Sequence, residues 1–279
     1  MKTNRIEKAG RLPLITFVLV MLLCTAVSAK TVALKYDKEE KKYYTIYSAQ
    51  ESETISFRMP VKYNGLLFVD GIRENISTGS TGGVALTMYN AKGDRLDFKA
   101  SNYVDATTGT GVTYAVSPGN YYFRVKVSKN NNYLIRAGYL KGSSMTSPKG
   151  GASKAKAYTL ARNRAAGGLI SAAAYSVRKW FRFYVPKGSR PVKLHIQISG
   201  GQGYTTVYAA GPNKGSTRKI RIKAGNETPV SKDLYLYQPA GAGSGPKGPK
   251  PGWYYVLFTK GTGNEKYSSG QFAVKWSYY

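Results

Sequence analysis

Three basic residues stand at alternate positions in Lys219-Ile220-Arg221-Ile222-Lys223. Side chains of an extended chain alternate between faces, so Lys219, Arg221 and Lys223 line one side while Ile220 and Ile222 turn toward a core. Trp180-Phe181-Arg182-Phe183-Tyr184 repeats the pattern with Trp180, Arg182 and Tyr184 outward. Like charges along one strand repel, so such a row needs a compensating reason. Protection of an exposed sheet edge against aggregation is one. A polyanion-binding face is the other, and it suits the interleaved aromatic rings, on which sugars or bases can stack. Lys193 is a further candidate member, and Arg178 and Arg218 extend the patch. The candidate ligand-binding set is therefore Lys219, Arg221, Lys223, Arg182, Trp180, Tyr184 and Lys193.

Other chemistry has little to build on. The single histidine, His195, alternates outward with Lys193 and Gln197. A hydrolytic triad needs a carboxylate oriented on the imidazole. Glu227, Asp233 and Glu265 are the acids of that half, and none sits in a recognisable motif. No catalytic residue is assigned, and the chain reads as a non-enzyme. The only cysteine, Cys24, falls in a segment that reads as removed, and one histidine without cysteine cannot make an ordinary zinc site. Glu51 and Glu53 share a face if extended, and Asp94 and Asp97 flank a turn. A solvated strand entry and a hairpin turn account for them. A calcium site combining Glu51 and Glu53 with a turn aspartate is the cofactor alternative to none.

The elements that must carry these residues are strands. Alternating runs rich in Val, Ile, Tyr, Phe and Thr recur at Thr54–Met59, Leu66–Val69, Val84–Tyr89, Val112–Val116, Tyr121–Val127 and Tyr133–Ala137. They recur again at Trp180–Val185, Val192–Ile198, Thr205–Tyr208, Lys219–Lys223, Leu234–Tyr237, Trp253–Thr259 and Gln271–Trp276. Glycine-, asparagine- and proline-rich turns separate them, which predicts an all-β sandwich or barrel. No stretch has a convincing helical period, and Gly167-Gly168 splits the one alanine-rich run.

The chain also repeats itself. Lys30–Pro60 lies over Lys156–Pro186 at a constant offset of 126 residues, matching Phe57 with Phe183. Ser117-Pro118-Gly119-Asn120-Tyr121-Tyr122 lies over Lys250-Pro251-Gly252-Trp253-Tyr254-Tyr255 at an offset of 133. A period this long marks a duplicated domain. Each copy resembles the bacterial pre-peptidase C-terminal domain, a β-sandwich related to collagen-binding modules. The resemblance rests on Thr54–Pro60 and Trp180–Pro186, on Val84–Tyr89 and Tyr204–Tyr208, and on the Pro-Gly-x-Tyr-Tyr strands. It implies a non-catalytic module that accompanies secreted hydrolases or binds matrix protein or carbohydrate. The aspartates that flank the family's central strand are missing here, which weighs against calcium.

Residues 1–29 read as a signal peptide: a basic start, an apolar run from Leu14 to Val27 and a small-residue site at Val27-Ser28-Ala29. That run is shorter than the roughly 20 residues a membrane helix needs. Two tandem antiparallel, jelly-roll-like β-sandwiches are expected at residues 30–142 and 155–279, joined by a linker at 143–154. Residues 239–252 read as a long basic hairpin loop. Charge is unevenly shared: residues 30–142 hold 16 basic and 10 acidic residues, and residues 143–279 hold 22 and 3. Together these features predict a secreted protein without a transmembrane anchor that binds an extracellular anionic polymer or glycan through its second half. A matrix protein or a secreted hydrolase is the alternative partner. Export disfavours nucleic acid.

Overall fold

The computed structural model describes residues 29–141, 149–188, 190–212, 217–225, 228–236 and 248–279. Most of the expected signal peptide, half of the expected linker and much of the 239–252 loop lie outside the described residues, as does Glu227. Thr31–Tyr279 forms one compact unit. Its described residues are almost wholly strands and connecting turns, with a 3₁₀ turn at Gly263–Tyr267. No helix among the described residues is long and apolar enough to cross a membrane.

Four sheets pack as two sandwich-like pairs. In the first half one sheet has the order β1 (Lys30–Ala33), β4 (Glu53–Val61), β10 (Gly119–Val127), β7 (Val84–Asn90), β8 (Asn102–Val104). Its partner runs β2 (Lys35–Asp37), β3 (Lys42–Ala49), β11 (Asn131–Leu140), β5 (Gly65–Asn75), β6 (Thr81–Gly82), with β9 (Val112–Val116) also paired to β5. In the second half the order is β12 (Tyr158–Thr159), β14 (Arg178–Val185), β19 (Gly252–Lys260), β16 (Tyr204–Ala210), β17 (Arg218–Lys223). Facing it are β13 (Ala166–Ile170), β20 (Ser269–Tyr278), β15 (Val192–Gln202) and β18 (Val230–Leu236). The two-residue β12 runs parallel to β14, whose ladder with β19 is antiparallel. The glycine pair of the alanine-rich run lies in strand β13, hydrogen-bonded to β20.

Alternation does its expected work. Phe57, Phe123, Phe181, Phe183, Phe258 and Phe272 are fully buried, and each half has its own apolar core. The duplicated Pro-Gly-x-Tyr-Tyr strand has a local cause. Gly119 and Gly252 open their strands at φ +157° and +135°, where a side chain would be strained. The next tyrosine turns inward, and its hydroxyl donates to a carbonyl four residues back: Tyr121 to Ser117 at 2.7 Å and Tyr254 to Lys250 at 2.9 Å. This first tyrosine is buried and anchors the strand entry, in the manner of a tyrosine corner, while Tyr122 and Tyr255 stay on the outer face.

The two copies differ by a slide. Phe57 lies opposite Phe123, but Phe183 lies opposite Tyr254, the counterpart of Tyr121. A shift of two residues leaves every side chain on its original face, because the strand period is two.

The halves are bonded to each other. Ala172 N–H donates to Ala115 O at 2.8 Å, and Phe98 N–H to the Gln202 side-chain oxygen at 3.2 Å. Ala115, Leu169 and Leu66 form a small apolar cluster between them. Within the expected linker, Gly151 exchanges two backbone hydrogen bonds with Trp180, so that stretch extends the edge of the second half. Composition rich in Gly, Ser and Lys marks a segment without a core of its own, and it is silent on edge pairing.

Candidate functional site

The outward face of the sheet β12-β14-β19-β16-β17 gathers six of the seven residues singled out in the sequence. Cross-strand pairing sets them in rows. Trp180 lies beside Leu257, which lies beside Tyr208, which lies beside Lys219. The next row reads Arg178, Thr259, Thr206, Arg221, and Lys223 sits opposite Tyr204. In the other direction Arg182 neighbours Tyr255 and Tyr184 neighbours Trp253. Neighbouring strands sit about 4.8 Å apart, so each row is a continuous strip of contacts.

Cations and rings are interlocked on this face. The Arg182 guanidinium lies 4.8 Å from the Trp253 ring centroid, and Trp253 meets Tyr184 edge-on at 5.5 Å. Arg221 covers Tyr204 at 3.9 Å, Lys219 approaches Tyr208 at 5.6 Å, and Lys154 approaches Tyr255 at 4.5 Å. Arg182 is further steadied by its Nε–H bond to Thr159 Oγ1 at 3.1 Å. Tyr184 and Trp253 remain 50% and 40% exposed, so a planar ligand can still reach them. The strand positions on this face hold five cations, Arg178, Arg182, Lys219, Arg221 and Lys223, and no acid. One acid reaches in from outside: Glu265, on the 3₁₀ turn, is paired with Arg221. Such a surface can hold an extended anionic chain, with rings for stacking and cations for its charges.

No family model matches the chain, and no curated protein is significantly similar to it. The pre-peptidase resemblance therefore rests on the motifs alone. Solved structures give only distant likenesses. A periplasmic inhibitor of g-type lysozyme from Aeromonas hydrophila aligns at 12% identity over 40% of this chain and 97% of its own, with a TM-score of 0.30. The CUB1-EGF-CUB2 domains of rat MASP-1 align at 9% identity over 88% and 99%, with a TM-score of 0.25. The ANXUR2 extracellular domain of Arabidopsis thaliana aligns at 10% over 84% and 82%, with a TM-score of 0.24. Likenesses this weak carry no argument about function.

Lys193 does not join the face. It lies in β15 of the opposite sheet and is paired with Asp233 at 3.6 Å. Alternation decides which side of a strand a residue takes; it does not decide which sheet the strand enters. The same Asp233 lies 2.7 Å from His195 Nδ1, across the β15–β18 ladder. Burial raises the Asp233 carboxyl, but the His195 hydrogen bond and the Lys193 charge outweigh it and hold the group below its ordinary range. No motif in the sequence pairs His195 with a carboxylate, and the fold supplies one. What faces this pair from the next strand is Lys275, opposite His195.

The carboxylates proposed for calcium are dispersed. Glu53 accepts from the Tyr47 hydroxyl, and Asp97 is buried beneath Met88 N–H, Tyr114 and Asn102. Asp94 is held in its turn by Asn90. Among the described residues no three metal-binding side chains cluster. Trp253, Tyr255, Tyr204 and Tyr208 are the face residues that the sequence argument did not single out. Their signal was available, since each alternates with a buried partner on its own strand.

Proposed function

We propose that this is a secreted, non-catalytic protein that binds an extracellular anionic polymer or glycan through the outward face of β14, β19, β16 and β17. One observation carries the reading: five cations and six aromatic rings share an outward sheet face from whose strand positions acids are absent. Edge protection calls for charge on β17 and near the short edge strand β12; it does not call for Trp253 and Tyr255 on the central strand β19. Each accessible ring adds stacking that is tolerant of sequence and substitution, and each cation adds a salt-dependent term. Uronic and sulfated glycans and cell-wall teichoic acid have the required charge; the glycans also present rings.

The test is binding to heparin and to alginate across a salt series. Replacing Lys219, Arg221 and Lys223 by Ser should weaken binding and lower the log–log salt slope by somewhat under one per lost cation, by analogy with nucleic acid. Salt-insensitive binding, or an unchanged slope in the triple variant, would move the site elsewhere. Capture of a stoichiometric protein instead of polymer would favour the role of partner to a secreted hydrolase.

A further inference from the structure

The outward face of the matching sheet in the first half repeats the arrangement. Arg58, Tyr122 and Tyr89 form one row across β4, β10 and β7. Arg124 stands in the next row, between Ser56 and Thr87, and its guanidinium covers the Tyr89 ring at 4.0 Å. Lys126 lies opposite Thr54. Beyond them Tyr103, 61% exposed, lies opposite Ala85. The outward positions of these strands hold three cations and no acid.

That absence is informative because this half is rich in acids. Its ten acids are all placed elsewhere. Asp37, Glu39 and Glu40 lie at the β2–β3 turn, Glu51 before β4, and Asp70 and Glu74 on the other sheet. Glu53 turns to Tyr47, Asp97 is buried, and Asp94 is tied to Asn90. Asp105, just past β8, is held by Thr107 and also accepts from the Tyr103 hydroxyl at 3.3 Å, so it reaches the rim of the face from outside the strands. The modest net charge of the first half thus averages over a face whose strand positions carry cations and no acid. Both copies keep acids off the strand positions of the same face, although they share few of the residues that make it basic. Ser56 stands where the second copy has Arg182, and Arg124 where it has Leu257.

We propose that this face is a second binding face for the same class of anionic polymer, weaker than the first and engaged together with it on one long chain. This rests on the polyanion reading above. Two faces in one compact unit turn the second binding event into an intramolecular one, which multiplies avidity only for a ligand long enough to reach both.

The experiment uses the full chain with three probes: long heparin, a heparin tetrasaccharide and long alginate, the last separating carboxylate from sulfate recognition. In the variant carrying R58S, R124S and K126S, long-chain affinity should fall at least tenfold and the salt slope should drop by two to three. Tight tetrasaccharide binding should persist, with one weak site lost. The double variant R58S/K126S, which spares the Arg124–Tyr89 contact, should show the same trend with a smaller drop. If both variants leave long-chain affinity and slope unchanged while K219S/R221S/K223S abolishes binding, the second face is refuted and the first stands. If the unaltered protein binds no probe, the polyanion reading itself falls.

Discussion

Lys260 offers a sharp test of the physical description, because it is a buried amine that the fold does not neutralise. It closes β19 with its side chain turned inward, beside Thr205, and is only 6% exposed. Its Nζ donates to Lys266 O at 3.0 Å, and the neighbouring Thr205 hydroxyl has no hydrogen-bond partner. Burial pushes its pKa down from 10.5 to about 7. A shift of this size corresponds to a ceiling of about 5 kcal/mol against the charged form. The folded value lies below the unfolded one, so the folded state sheds its proton first. Between pH 7 and 10.5 the unfolded chain binds more protons, and stability rises with pH through that window. By the same linkage the rise from pH 7 to 10 is worth roughly 3 kcal/mol. Lys260→Met keeps the stem and removes the charge, at the cost of the bond to Lys266 O, about 1 kcal/mol. The variant should be more stable at pH 6–7 by about 2–3 kcal/mol, which raises Tm by roughly 4–12 °C in a chain of this size. Its advantage should vanish near pH 10.5. Thermal melts of both proteins from pH 6 to 10.5 decide the matter. A variant that melts lower at pH 6, or whose advantage is the same at every pH, would refute the burial argument.

Other expectations follow from named contacts. Asp97 is pushed up to about 6, chiefly by burial, against the opposing hydrogen bonds of Tyr114 and Met88 N–H. Its folded value exceeds the unfolded one, so its contribution is complete below about pH 4 and is lost as pH rises through 6, a ceiling of about 3 kcal/mol; Asp97→Asn should flatten that part of the stability profile. Gly203 has φ +70°, and an added Cβ would meet Ser268 Oγ at 2.5 Å and Phe98 Cδ2 at 2.6 Å. Gly203→Ala should therefore destabilise by about 1–3 kcal/mol, measured by denaturant midpoint, with the loss centred where Phe98 meets the second half. Trp253→Ala should weaken glycan binding while leaving the salt slope nearly unchanged, because stacking releases no counterions.

Local period was legible in the residues, and long-range pairing was not. Every strand expected from alternation is found in its described part, since alternation reflects burial of one face and burial is what stabilises a sheet. The same rule set Lys219, Arg221 and Lys223 opposite Ile220 and Ile222. It could not tell that β14 and β17 share a sheet while β15 lies in the other, so Lys193 was grouped with a face it never meets. Nor could it find Glu265 beside Arg221 or Asp233 beside His195, because both pairs depend on which strands and turns become neighbours. Trp253 was overlooked for a different reason. It occupies the variable position of a motif whose neighbouring glycine and tyrosine serve strand entry, and that structural role masked the outward ring between them.

The duplication shows which features of a face are constrained and which drift. Strand entry is kept in both copies down to the glycine, the inward tyrosine and its bond four residues back. The ladder beside it has slid by two residues, a change that preserves every inward side chain and costs the cores nothing in pattern. The outer faces have changed almost all their residues, yet both hold arginine against an aromatic ring, Arg124 on Tyr89 and Arg182 on Trp253. Core packing cannot impose that coincidence, because these side chains lie outside both cores. Exposed cation–ring contacts are worth only about 0.5–1 kcal/mol each, too little to be the reason for keeping the strand positions of a face free of acids. On the reading proposed above, an anionic polymer whose sugar faces can stack on rings would supply the missing constraint. The slide is compatible with that reading: moving one strand by two residues shifts the rows against each other but leaves the cations and rings on the side where such a polymer would lie.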